Sequence, residues 1–152
     1  MELGEYVSLL EALTRLGLAA GLGLVLGLDR EVKNKPVGIR GYMLVALGAA
    51  GFSLLSMELV LSSTVGEQGV MIDPSRVIQG VVGGIGFLGA GAIIHREAGV
   101  RGVATGASIW VAGAIGMACG FGSYMLAVVM TALAAAILVV MGFLRQKLEL
   151  DG

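Results

Sequence analysis

Gln79-Gly-Val-Val-Gly-Gly-Ile-Gly-Phe-Leu-Gly-Ala-Gly-Ala-Ile-Ile94 is apolar enough to enter a bilayer and richer in glycine than an isolated helix tolerates. Gly80, Gly83, Gly84, Gly86, Gly89 and Gly91 all fall within it. Each interior glycine costs a helix about 1 kcal/mol relative to alanine. So many together imply close packing by neighbours, or use of the backbone itself. At 100° per residue Gly80, Gly84, Phe87 and Gly91 share one face, while Gly86 and Gly89 point roughly the opposite way. Neither side is bulky, so this stretch is expected to be the central packing element of a bundle. The sharper reading is a broken helix whose carbonyls line an ion path, which lipid tolerates only where the backbone is buried in protein or faces a cavity.

The rest of the chain supports a membrane setting. It is 57% hydrophobic and 14% charged, with mean hydropathy +0.92, whereas soluble domains are about 25% charged. The expectation is a single all-α integral membrane domain over 1–152, a compact bundle of about five transmembrane helices. The spans read as 6–28, 41–61, 77–94, 102–119 and 124–144. Asp73-Pro74 ahead of the third is a strong helix start, because Asp accepts an orphan N–H and Pro has none to lose. The polar connection before it runs from Ser62 to Ile72, and His95 to Arg101 reads as a loop. The N-terminus has no basic region and is not expected to be a cleavable signal. Little follows the last span, so no soluble domain is expected.

Charge placement suggests an orientation. With the N-terminus outside, the inner side holds Arg30, Lys33, Lys35, Arg40, Arg96, Arg101, Arg145 and Lys147, and the outer side holds Arg15 and Arg76. Eight against two is a positive-inside bias that puts the C-terminus in the cytoplasm. A net charge of −1 gives no reason to expect nucleic acid. One cysteine, Cys119, and one histidine, His95, exclude an internal disulfide and any multi-Cys or His-rich metal site.

Few residues carry chemistry. Gly84-x-Gly86-x-x-Gly89 matches the dinucleotide pattern in form, but an apolar helix surrounds it and no acidic residue follows Glu97 before Glu149. Glu11 and Arg15 are at i,i+4 and read as an interfacial pair that snorkels to headgroups. The fourth span repeats the glycine theme and adds Thr105 and Ser108, read as interhelical glue, and Trp110, read as a packing anchor inside the protein. Ser108 has no identifiable base, so an enzyme is not expected. Asp29 lies just past the first apolar run with Arg30, Glu31, Lys35 and Arg40 close by. One reading is a salt-bridge network at the helix ends. The other is a carboxylate site for a proton or a hard cation such as magnesium, with Asp29 and Glu31 as ligands.

Taken together, Gly27-Leu-Asp29-Arg30-Glu31, Lys35-Pro36-Val-Gly38-Ile-Arg40, Asp73-Pro74-Ser-Arg76, Gly84-Ile-Gly86-Phe87-Leu-Gly89-Ala-Gly91-Ala-Ile93, Ala107-Ser108-Ile-Trp110 and Gly120-x-Gly122-x-Tyr124 resemble the MgtC/SapB family of bacterial inner-membrane proteins. The chain departs from the family pattern at Gly41, where threonine is frequent, and is not expected to carry the soluble C-terminal domain of some relatives. The resemblance implies a multi-pass inner-membrane protein linked to magnesium homeostasis, low-magnesium adaptation and virulence. It implies a regulator acting through helix contacts on other membrane proteins, the ATP synthase among them, with Asp29 as the leading functional residue. The competing expectation is a channel or transporter for magnesium or another small cation. Five spans are a small pore unit, so that reading expects a homo-oligomer, a dimer at the simplest. Its path would run toward Gly91 and Asp29.

Overall fold

A computed structural model describes residues 7–65, 73–96 and 99–150. Helix α1 runs Leu9–Val32, α2 Ile39–Val65, α3 Pro74–Gly91, α4 Val103–Gly120 and α5 Tyr124–Leu150. Between α3 and α4 the expected loop is a short antiparallel hairpin, β1 (Ile94–Arg96) paired with β2 (Gly99–Arg101). The all-α bundle expected from composition is the observed fold. The connection at 66–72 lies outside the described residues.

Helix ends follow local chemistry. The Ser8 side chain accepts from the Glu11 N–H at 3.2 Å and caps α1. At its other end α1 continues past Leu28 to Val32. It closes where Asn34 takes a left-handed φ of 48°, the Lys35 N–H donates to Arg30 O and the Asn34 N–H to Glu31 O. This paired bonding satisfies the last carbonyls, and Pro36 follows. α4 ends the same way, with Gly122 at φ 79° and N–H bonds from Ser123 to Ala118 O and Gly122 to Cys119 O. Asp73 caps α3 by accepting from the Ser75 N–H at 2.9 Å, as the Asp-Pro signal predicts.

The helices alternate in direction. Gly23 packs on Tyr42 and Gly27 on Ile39, so α1 and α2 are antiparallel; Gly116 meets Ala46 and Gly120 meets Ala50, so α2 and α4 run together. Gly89 meets Gly106 and Ile85 meets Gly113, which makes α3 antiparallel to α4. Lys33 reaches Leu138 and Gly142, so the late part of α5 stands beside the end of α1. One end of the bundle therefore gathers the ends of α1, α3 and α5 and the starts of α2 and α4. This is the basic end of the bundle, with Arg30, Lys33, Lys35, Arg40 and Arg101.

The centre of the bundle is α4. It packs against all four other helices, and 61% of its apolar window is buried, against 11% for α5. The core around it is built from Ala46, Ala50, Ile109, Ala112, Ile115 and Cys119, with Leu26 and Tyr42. This corrects the expectation for the third helix. In α3 only Ile85 and Gly89 are buried, and Gly80, Gly83, Gly84, Gly86 and Gly91 have open space where a Cβ would point. α1, α2, α4 and α5 are long and apolar enough to cross a membrane by length and composition, and α3 is not in that set. Its first two turns carry Arg76 and Gln79, and its glycines add little hydropathy. At 18 residues it is about 27 Å long, close to a bilayer core of about 30 Å. Trp110 is 49% exposed, so it faces outward and is not the internal anchor expected.

The glycines of α4 are contact points. Added Cβ atoms at Gly106 and Gly120 would sit 2.7 Å from Gly89 O and 2.5 Å from Ala50 O. Gly116→Leu must push into the α2 backbone at Ala46, an overpacking cost of about 1–3 kcal/mol or more. At Gly84 an added Cβ meets nothing within 4 Å, and the leucine side chain has an open cleft to enter. Thermal unfolding in detergent is expected to show a large fall in Tm for Gly116→Leu and none for Gly84→Leu. Equal falls would contradict this assignment of the packed and open glycines.

Candidate functional site

Because α1 stays helical to Val32, Asp29 and Lys33 are one turn apart and on the same face. Lys33 Nζ lies 2.5 Å from Asp29 Oδ1. Arg30, which is 4% exposed, folds back so that its guanidinium donates to Asp29 Oδ2 through Nε at 3.0 Å and also through Nη2. Both carboxylate oxygens are thus held by cations. Lys33 also donates to Leu138 O of α5 at 3.3 Å. Gly142, one turn further along α5, makes room for this, since a Cβ there would stand 2.7 Å from Nζ.

Glu31 does different work. Its Oε2 accepts from the Ile39 N–H at 3.0 Å. The first turn of α2 holds no acidic residue, so Glu31 supplies the negative charge that a helix N-terminus favours. Gly38 is required for this, because a Cβ there would collide with the Glu31 carboxylate.

Behind the charged group lies a hydroxyl chain. Ser108 donates its one proton to its own helix, at Ala104 O 2.8 Å or Thr105 O 3.0 Å. The fully buried Tyr42 hydroxyl, 2.5 Å from Ser108 Oγ, is therefore the donor of that pair. Ser108 thus bridges α4 to α2, as its reading as interhelical glue requires. Thr105 is 2% exposed and its hydroxyl has no bond among the described residues, so it supplies no such glue.

The charged residues picked out by sequence do not form one cluster. Asp29, Arg30 and Lys33 come together. Lys35 and Arg40 are exposed at the same end, and among the described residues neither is in an ion pair. Asp73 and Arg76 belong to the opposite end, where both are exposed and Asp73 acts as a cap. Gly91 faces open space and is not brought to the charged group. Asp29 and Glu31 are not brought together as metal ligands, each being engaged as above. Among the described residues no group of three or more His, Cys, Asp or Glu side chains is placed to hold a metal.

Arg15 also departs from expectation. It pairs with Glu11 but is 7% exposed and turned inward, donating to Gly120 O at 2.6 Å. It holds the C-terminal end of α4 from α1, a favourable place for a cation, and does not snorkel. Sequence reasoning missed Tyr42 and Gly142, and named Gly38 only as part of a motif. Tyr42 lies between two matched motifs and Gly142 within an apolar run, and neither carries a local signal.

The outward face of α3 carries Gln79, Gly83, Gly86, Phe87 and Ala90, all exposed, with Phe87 at 80%. Its other uncovered face, with Gly80 and Gly84, borders a cleft against α2.

The MgtC family profile matches residues 16–147. YhiD of Escherichia coli K12, named a candidate magnesium transporter, is 38% identical over 118 residues, covering 78% of this chain and 54% of the relative. Protein MgtC of Salmonella typhimurium is 38% identical over 78% of this chain and 45% of its own length. Protein SapB of Bacillus subtilis is 35% identical over 75% and 49%. The chain spans about half the length of these relatives. No solved structure matches it. The relatives and the apolar helices identify a multi-pass bacterial membrane protein.

Two outcomes follow from the site. Lys33→Met and Gly142→Leu break the same contact, so their effects on Tm are expected to be non-additive, with a coupling of about 0.5–1 kcal/mol in a double-mutant cycle; strict additivity would show that Gly142 does not seat Lys33. The side-chain and backbone groups of Ser75 hold the Asp73 carboxyl below its ordinary value. A lowered folded pKa gives a contribution present above the unfolded value of about 3.9 and lost as pH falls through the folded one. Asp73→Asn is expected to reduce the loss of stability between pH 7 and pH 3, and an unchanged pH profile would contradict the cap's role.

Proposed function

The chain belongs to the MgtC family, and on that premise we propose that it is a non-enzymatic inner-membrane protein of magnesium homeostasis that works through helix contacts with other membrane proteins. The observation that carries this is the outward face of α3. A helix not among the apolar spanning set leaves Gln79, Gly83, Gly86 and Ala90 uncovered. Hydrocarbon is a poor solvent for the Gln79 amide, and small residues in lipid mark faces where another helix approaches closely. The resemblance nominates the proton-translocating ATP synthase as one such partner. A second copy of the chain fits the same face.

In this reading the basic end is cytoplasmic, in keeping with the positive-inside bias, and the N-terminus is outside. Asp29 has the role of a neutralised anchor between α1 and α5. Transport through the chain would instead require Lys33 to release the carboxylate. The name of YhiD keeps magnesium transport as the competing reading.

Gly83→Leu and Gly86→Leu, at exposed positions where an added Cβ meets no atom within 4 Å, are expected to leave Tm unchanged and to abolish co-purification with the partner complex. Liposomes containing only this chain are expected to show no cation flux above empty ones. Retained partner binding in both folded variants, or saturable magnesium flux, would overturn the proposal. Asp29→Asn is expected to insert normally and lose function, and full activity would reduce Asp29 to a structural ion-pair member.

A further inference from the structure

The cleft between α2 and α3 is separate from the outward face just described. It is lined by Leu44, Gly48 and Phe52 of α2 and by Val77, Gly84 and Leu88 of α3, among others, and has a volume of about 650 Å³. α3 leans on α4 through Gly89 and Ile85 and meets α2 only in part, leaving the cleft open at the side. In a bilayer that side is hydrocarbon, and an apolar void of this size in a close-packed medium takes up apolar chains.

Its dimensions and charge are specific. From Leu44 to Phe52 along α2 is about 12 Å, and from Val77 to Leu88 along α3 about 16 Å. These lengths match one leaflet, half of a core of about 30 Å, and not the whole membrane. Leu44 and Leu88 are the lining residues nearest the basic end. Arg40 precedes Leu44 by four residues, hence by one turn on the same helix face. Arg40 is exposed, and among the described residues it has no acidic or hydrogen-bonding partner. Arg101 adjoins Gly102, which packs against Ala92 one turn beyond Leu88. Like Arg40, Arg101 is exposed and in no ion pair among the described residues. Two exposed arginines, in no ion pair among the described residues, thus lie toward the end of an apolar channel one acyl chain deep.

We propose that this cleft binds an anionic phospholipid from the leaflet at the basic end, with one acyl chain between α2 and α3 and the phosphate headgroup at Arg40. A partner helix would need cover along the full membrane depth and gains nothing from a cation at one mouth. An anionic lipid uses both features. A basic side chain at a membrane surface contributes about 1 kcal/mol toward an anionic lipid, which is about a fivefold preference.

The test is native mass spectrometry of the purified chain in an uncharged detergent, titrated with phosphatidylglycerol and with phosphatidylcholine of the same acyl chains. The wild-type chain is expected to hold one phosphatidylglycerol at least about fivefold more tightly than phosphatidylcholine, and Arg40→Gln to bring the two to parity. Gly48→Leu with Gly84→Leu fills the cleft from positions whose added Cβ atoms meet nothing within 4 Å; this variant is expected to keep its Tm and lose both lipids. Gly83→Leu, on the other face, is expected to bind as wild type, which separates this site from the partner surface. Glycerol 3-phosphate is expected not to compete. Equal retention of the two lipids by wild type would overturn the proposal. So would a filled cleft that still holds phosphatidylglycerol, displacement by glycerol 3-phosphate, or loss of a dimer in place of a lipid on filling the cleft.

Discussion

Backbone-to-backbone approach along α4 is the constraint on which the bundle depends. Gly106, Gly116 and Gly120 bring α4 against α3 and α2 at distances no Cβ would allow, and Gly113 takes the Ile85 side chain. In lipid there is no gain from transferring apolar surface between hydrocarbon and protein, so packing and hydrogen bonds must hold the helices together. The polar contacts sit at the ends and the seams. Arg15 ties α1 to the end of α4, Tyr42 and Ser108 join α2 to α4, and Lys33 joins α1 to α5.

This arrangement gives Asp29 its character. Its carboxylate is held by Arg30 and Lys33, and the lysine is in turn seated on α5 through the gap at Gly142. Charge at a membrane edge is expensive unless paired, and here pairing also links two helices. Whatever alters Asp29 is therefore felt at α5, the least buried of the candidate spans. Function, in the reading proposed, lies at uncovered surfaces: one face of α3 for protein, and the cleft beside it for lipid.

Much of the fold is legible in the sequence. Hydropathy and the Asp73-Pro74 cap place the helices, and the charge count separates the two ends. The order of burial is not legible, because a glycine pressed against a carbonyl and one facing lipid look alike in a chain. Gly116 and Gly86 are equivalent by composition and opposite in structure. Hydropathy stops the first helix at Leu28, whereas hydrogen bonding carries it to Val32, and that one turn creates the Asp29–Lys33 pair. The salt-bridge reading of Asp29 and Arg30 is legible in the sequence. The rest rests on contacts such as Lys33 to Leu138, which join residues far apart in the chain.

In the function proposed, α3 presents Gly83 and Gly86 to another protein. A photo-crosslinking residue placed at position 83 or 86, with a control at the exposed Leu133 of α5, tests this in native membranes. The prediction is a discrete protein adduct from positions 83 and 86 and only lipid adducts from 133. Lipid adducts alone from all three positions would contradict it.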